Sequence, residues 1–154
     1  MPKSIDRDLL ILIHDVARLL RTKADQRART RGMTRAQWII LARLARQPGL
    51  SQNEMAAVCE VEPITIARLV DRLEARGLIE RRPDPADRRI WRLHLLPAAR
   101  PLVVEIDRHR AALNAECSAG LDAQMQNFLI DTLLHIKANL TADDSVPALA
   151  VAGK

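Results

Sequence analysis

Apolar residues recur near the start of the chain at alternating spacings of four and three: Ile5, Leu9, Leu12, Val16 and Leu19, with Ile13 and Leu20 widening the stripe. That spacing predicts an amphipathic helix with a coiled-coil-like seam. Ser4 is placed to cap it, and Asp6 and Asp8 fall in its first turn, where the helix dipole favours acids. Beyond Leu20 the helix turns basic, "RTKADQRARTR", and Gly32 ends it.

The period then shortens. "TRAQ" at 34–37 and "SQNE" at 51–54 are capping boxes, in which a hydroxyl caps the helix and a side chain three residues later bonds back to it. The first opens a helix bearing Trp38, Leu41 and Leu44 that stops at "QPG", and the second opens a short helix through Cys59. Pro63 suits the first position of the next helix, which runs through Arg76 and closes on Gly77. Two helices of about eight and fourteen residues joined by such a short turn have the spacing of a helix-turn-helix.

"LIERR" and "IWRLHL" read as two strands around a tip stiffened by Pro83 and Pro85. In the second strand Trp91, Leu93 and Leu95 are expected to face the core, and Arg92 and His94 to face water. A hairpin directly after a helix-turn-helix is a wing. Two further helices follow, one striped by Leu102, Ile106, His109 and Leu113, the other capped by Asp122 and striped by Met125, Leu129, Leu133, Ile136 and Leu140. Residues 141–154 show no periodicity and read as a mobile tail. The fold class expected is mainly α with a small β-hairpin wing, a winged helix-turn-helix flanked by N- and C-terminal helices.

Composition narrows the function. The chain has 154 residues, 48% of them hydrophobic, which is enough for one real core. Its net charge of +5 is unevenly spread: residues 1–46 carry eleven Lys or Arg against four acids, residues 62–100 nine against six, and residues 101–154 four against seven. Arginine far outnumbers lysine, and its planar fork suits phosphate, so a polyanionic partner fits; a merely solubilising surface is the alternative. Trp38, Trp91 and Phe128 are the only aromatic residues, too few to build a multi-ring pocket from one chain. No apolar run approaches the roughly 20 residues of a membrane span. No signal peptide is recognisable, and two cysteines make no disulfide framework, so a cytoplasmic location is expected. No nucleophile–base pair, phosphate loop or carboxylate pair suggests an enzyme. Glu105 and His109 have metal-ligand spacing without a third ligand nearby, so no metal or cofactor is expected.

The segment "PITIARLVDRLEARG" has two faces. Ile66, Leu69, Val70 and Leu73 pack inward, while Thr65, Arg68 and Arg72 point outward on neighbouring turns. Thr65 suits a base edge or a thymine methyl, and Arg68 a guanine, a contact that discriminates by about 1–3 kcal/mol. The alternative is a solvated face with Asp71–Arg68 and Glu74–Arg72 surface pairs.

"GMTRAQWIILARL", "SQNEMA", "VEPITIARLVDRLEARGLIERRPDPADRR" and "IHDVARLLR" together resemble the MarR family of winged-helix transcriptional regulators, over residues 5 to about 140. The resemblance implies a homodimer in which residues 5–31 and 98–140 form the dimerisation region. Residues 33–97 would be a lobe that binds double-stranded DNA at a pseudo-palindromic operator. It implies DNA contacts from Gln52, Pro63, Ile64, Thr65, Arg68 and Arg72, and from Asp87, Arg88 and Arg89 on the wing. There Arg89 would enter the minor groove while Asp87 fixes its direction. It also implies a repressor released by a small aromatic or carboxylated effector, for which His14, Arg18 and Trp38 would supply a donor, a cation and a ring. Core packing remains the other role for Trp38, and covering the dimer seam the other role for Arg18. The chain departs from the family at Glu60, where the turn usually has glycine, at Leu96–Pro97 after the wing, and at Ala99. A ligand-independent structural DNA-binding protein and a protein–protein adaptor are the alternative functions.

Overall fold

Six α-helices and one β-hairpin form among residues 7–142, the part of the chain that the computed structural model describes. Helix α1 (Leu9–Arg29) starts at Asp8, whose carboxylate accepts the N–H groups of Leu10 at 3.0 Å and Ile11 at 3.1 Å. Asp8 is therefore the N-cap rather than a first-turn residue, because its side chain takes up the orphan donors of the first turn. Ser4, Ile5 and Asp6 lie outside the described residues, as does the tail beyond 142.

The described residues fall into two compact units that divide between Arg110 and Ala111. The first contains α1, α2 (Arg35–Arg46), α3 (Gln52–Cys59), α4 (Pro63–Ala75), strands β1 (Ile79–Pro83) and β2 (Trp91–Leu95), and the start of α5 (Arg100–Cys117). Both capping boxes form: Thr34 and Gln37 bond each other's backbone N–H, and so do Ser51 and Glu54. Pro63 opens α4, and Gly77, at φ 67°, follows its last turn. The core gathers one stripe from each element, with Ile40, Leu41, Leu44, Met55, Ile66, Val70, Leu73, Ile79 and Leu93 fully buried.

The hairpin is antiparallel, with Ile79 opposite Leu95 and Pro83 opposite Trp91. The segment before α3 runs along its outer side: Gly49 N–H donates to Leu93 O and Leu93 N–H to Leu50 O, both at 2.9 Å. Period-two alternation holds at Leu93, which is sealed, and at half-buried Leu95, but not at Trp91, which is 46% exposed. Trp91 and Pro83 form the last pair of the ladder, past the edge of the core, so the inward face has nothing left to cover there. Arg92 and His94 are half-buried instead of wet.

The second unit contains the end of α5 and α6 (Ala123–Ala142), capped by Asp122 through Met125 N–H at 2.8 Å. In α6, Met125, Phe128, Leu129, Ile130, Leu133, Leu134 and Leu140 are exposed. In the first unit, α1 likewise exposes Leu9, Leu10, Ile11, Leu12, Val16 and Leu19.

The turn between α3 and α4 carries one local strain. Glu60 sits at φ 54°, ψ 45°, the sole non-glycine residue with positive φ among the described residues. A left-handed L-residue costs roughly 1–2 kcal/mol, and glycine in its place adds back about 0.4–1 kcal/mol of unfolded-chain freedom. Glu60→Gly is expected to stabilise the protein by about 0.5–1 kcal/mol and raise its melting temperature. Glu60→Val, which brings a β-branched side chain to the same backbone, is expected to lower it. Thermal melts of the three proteins check both signs.

Candidate nucleic-acid interface

Helix α4 buries Ile66, Leu69, Val70 and Leu73 and exposes Pro63, Ile64, Thr65, Arg68 and Arg72. The surface pairs Asp71–Arg68 and Glu74–Arg72 do not form. Both acids are taken instead by Arg81 of β1, which bonds Asp71 at 2.6 Å and also Glu74. The same guanidinium donates from Nε to Gln52 Oε1 at 2.7 Å and to the Ala67 carbonyl at 3.3 Å. Its backbone N–H donates to Glu74 at 3.2 Å. Arg68 and Arg72 are left unpaired among the described residues, so α4 turns its cations outward while its acids are neutralised from the wing. Gln52, expected at the DNA, has its carbonyl committed to Arg81 and keeps its NH2 as the donor end.

Sequence reasoning missed Arg81. It is one of five arginines in residues 81–92, and its partners lie seven to twenty-nine positions away, beyond any local pattern.

The wing tip is built around Asp84. Its carboxylate accepts from Arg92 Nε at 2.7 Å, and from the N–H groups of Ala86 at 2.7 Å and Asp87 at 3.0 Å. These bonds, Arg92 foremost, hold it below the usual carboxylate range. Arg92 reaches on to Glu54 and to the Gly49 carbonyl, both at 3.2 Å, which joins the hairpin to the start of α3. Glu54 is itself held low, first by its bonds to Ser51. Asp87 bonds the backbone of Arg89 and not its guanidinium: the carboxylate accepts Arg89 N–H at 2.9 Å. The side chains of Arg88 and Arg89 are exposed and unpaired among the described residues, whereas Arg82 is bonded to Glu80.

The effector residues are placed less coherently. His14 and Arg18 are exposed on α1, and Arg18 pairs with Asp15 at 3.1 Å. Trp38, 5% exposed, belongs to the core, its ring edge-on to His109 with centroids 5.8 Å apart. Trp38 Nε1 and His109 Nε2 are both buried and lack a hydrogen-bond partner. Glu105 does not join His109 in a ligand pair; it bonds Arg31 at 2.8 Å and lies 3.5 Å from Arg27. Cys59 is half-buried, and burial pushes its thiol up, which suppresses thiolate. Among the described residues no helix is long and apolar enough to cross a membrane.

Burial, with Arg27 adding to it and Glu105 opposing, moves His109 below the ordinary value of 6.5. A depressed folded value means that the unfolded chain binds the proton more readily. Stability is thus complete above the ordinary value and is lost as pH falls below it. Melting temperature measured from about pH 8 to about pH 5 is expected to fall less steeply in His109→Phe than in the parent protein. Parallel curves would show that His109 does not titrate against folding.

The profile of the MarR family matches residues 31–90, which span the helix-turn-helix and the wing tip. Solved structures match over nearly the whole chain. The transcriptional regulator PA3341 is 34% identical over 85% of this chain and 96% of its own, with a TM-score of 0.77. The transcriptional regulator SlyA is 28% identical over 88% and 96%, also at 0.77. A putative MarR family regulator from Listeria monocytogenes, solved with a 26mer DNA, shares the fold at a TM-score of 0.79, with 24% identity over 89% and 91%. Capping boxes, helix-turn-helix, wing and relatives agree: this chain belongs to the MarR family of transcriptional regulators.

Proposed function

We propose that the protein is a homodimeric, sequence-specific repressor working in the cytoplasm, whose lobe at residues 33–97 reads a pseudo-palindromic operator. One observation carries the DNA reading. Arg81 withdraws both acids of α4 and leaves Arg68 and Arg72 exposed and unpaired, and on the wing Arg92 takes Asp84 while Arg88 and Arg89 are likewise exposed and unpaired among the described residues. Cations held out of intramolecular pairs suit a phosphate-lined duplex, with Thr65 and Arg68 at base edges and Arg89 at the minor groove. The Listeria relative in complex with DNA supports the same use of the fold.

The dimer reading rests on the bare apolar stripes of α1 and α6, within the dimerisation region assigned to residues 5–31 and 98–140. Each large side chain is about half covered already, so sealing the rest gains on the order of 1 kcal/mol apiece. A twofold dimer would present its recognition helices to successive major grooves, with half-sites about 10 bp apart. Val16→Glu with Leu19→Glu, both on the exposed stripe, is expected to yield a monomer in sedimentation and to cost most of the operator affinity. Arg68→Ala is expected to leave a dimer that relaxes its preference at particular base pairs. Undiminished dimerisation of the double variant would refute the interface. Equal affinity for operator and random duplex at fixed salt would favour a DNA-coating role instead.

For the effector, Trp38 Nε1 and His109 Nε2 are the supporting observation, since buried polar atoms are rarely left unpaired. A small aromatic or carboxylated ligand that opened this packed interior would bond both, while His14 and Arg18 are exposed on α1. In a Trp91→Phe background, Trp38 emission is expected to change on titration with such an acid, salicylate serving as probe. The acid is expected to weaken DNA binding by the factor by which DNA weakens its own binding. Release of DNA with Trp38 silent would move the pocket elsewhere.

A further inference from the structure

Trp91 is an indole that the fold does not use. It is outside the core, 46% exposed, and paired across the hairpin with exposed Pro83. It lines a cleft of about 150 Å³ between the start of α3 and the wing, together with Ser51, Gln52, Asn53, Arg89 and Ile90.

Three properties of this cleft define what it takes. Its volume is well below the roughly 300–1,000 Å³ of small-molecule sites. Its free polar groups can all donate: the unpaired guanidinium of Arg89, the NH2 of the exposed Asn53 amide (whose carbonyl can also accept), and the NH2 end of Gln52, whose carbonyl is held by Arg81. Of the nearby acids, Glu54 and Asp84 both bond Arg92, and Asp87 accepts the Arg89 backbone N–H. A narrow cleft with a flat apolar wall, a ring N–H and an unpaired cation matches one deoxyribose and its phosphate. It is also continuous with the proposed DNA surface, because Arg89 belongs to both.

We propose that this cleft seats one segment of the DNA backbone at the mouth of the minor groove that Arg89 enters, with Trp91 packed on the sugar and its Nε1–H donating to the phosphate beside the amide NH2 groups of Gln52 and Asn53. The inference rests on the DNA-binding reading above and adds a contact independent of sequence, because sugar and phosphate are the same at every base pair.

The test uses the full-length protein labelled with 5-fluorotryptophan, so that both indoles report by fluorine NMR and buried Trp38 need not be altered. Trp91→Phe assigns the resonance. Saturating mixed-sequence duplex is expected to shift the Trp91 signal and reduce its solvent isotope effect at least about twofold, leaving Trp38 in place. Inorganic phosphate alone, at the same phosphate concentration, is expected to do neither. Trp91→Ala is expected to weaken binding to operator and mixed-sequence duplexes by a common factor of about ten. Trp91→Phe, which keeps the ring and loses the N–H, is expected to fall between Trp91→Ala and the parent. If duplex raises the anisotropy of a DNA-bound dye while the Trp91 resonance stays put, or if Trp91→Ala binds as well as the parent, the cleft is not a backbone site although the protein binds DNA. A shift produced by inorganic phosphate alone would make it a free-anion site and overturn the proposal. If the parent protein binds no duplex at all, the DNA reading and this inference fall together.

Discussion

One guanidinium sets the arrangement of the surface that the wing shares with the helix-turn-helix. Arg81 leaves the wing strand β1 and bonds Gln52 at the start of α3 and Ala67, Asp71 and Glu74 along α4, with only 18% of its side chain exposed. No other residue type reaches so many acceptors from one rigid planar group. The wing and the two helices of the helix-turn-helix are thereby fixed to one point. The charge pattern follows from the same contacts. Asp71 is three residues from Arg68, the spacing of a helical ion pair, and would otherwise sit beside it. Drawn to Arg81, the acids leave the outward arginines Arg68 and Arg72 without an intramolecular partner among the described residues.

A second arginine repeats the device at the hairpin. Arg92 joins Asp84 of the wing tip to Glu54 of the α3 capping box and to the Gly49 carbonyl. Asp84 spends its remaining lone pairs on the N–H groups of Ala86 and Asp87, and Asp87 in turn holds Arg89 N–H. An unbroken chain of hydrogen bonds thus runs from the cap of α3 to the backbone of the wing arginine. Pro83 and Pro85 stiffen the same tip by fixing φ. The five arginines of residues 81–92 are consequently divided: Arg81 and Arg92 build the scaffold, Arg82 pairs with Glu80, and Arg88 and Arg89 are the cations it presents.

Local chemistry was legible in the sequence wherever its partners were close along the chain. Thr34–Gln37, Ser51–Glu54, Pro63 and Gly77 each announce a helix boundary through groups no more than a few residues apart, and the inward stripe of α4 follows from helical period alone. Trp91 shows where that reasoning stops: alternation tells which way a strand side chain points but not where the core beneath it ends. Arg81 and Gln52 show the second limit, since a contact across twenty-nine positions leaves no local trace. Trp38 and His109 show a third. Each fits its own apolar stripe, and only the tertiary fold brings their rings together.

The exposed stripe of α1 is the counterpart of this tightly tied lobe. At its C-terminal end α1 is anchored, with Ala28 sealed in the core and Arg27 and Arg31 around Glu105 of α5. Toward its N-terminus the same helix leaves Leu9, Leu12, Val16 and Leu19 45–60% exposed. Trp38 and His109 belong to α2 and α5, beside that anchor. A ligand bonding both buried nitrogens would tie α2, which carries the core of the reading lobe, to α5, which holds the root of α1. Such a ligand can shift the DNA-binding equilibrium only to the extent that it prefers one spacing of those helices. The unpaired nitrogens are where that preference would be expressed.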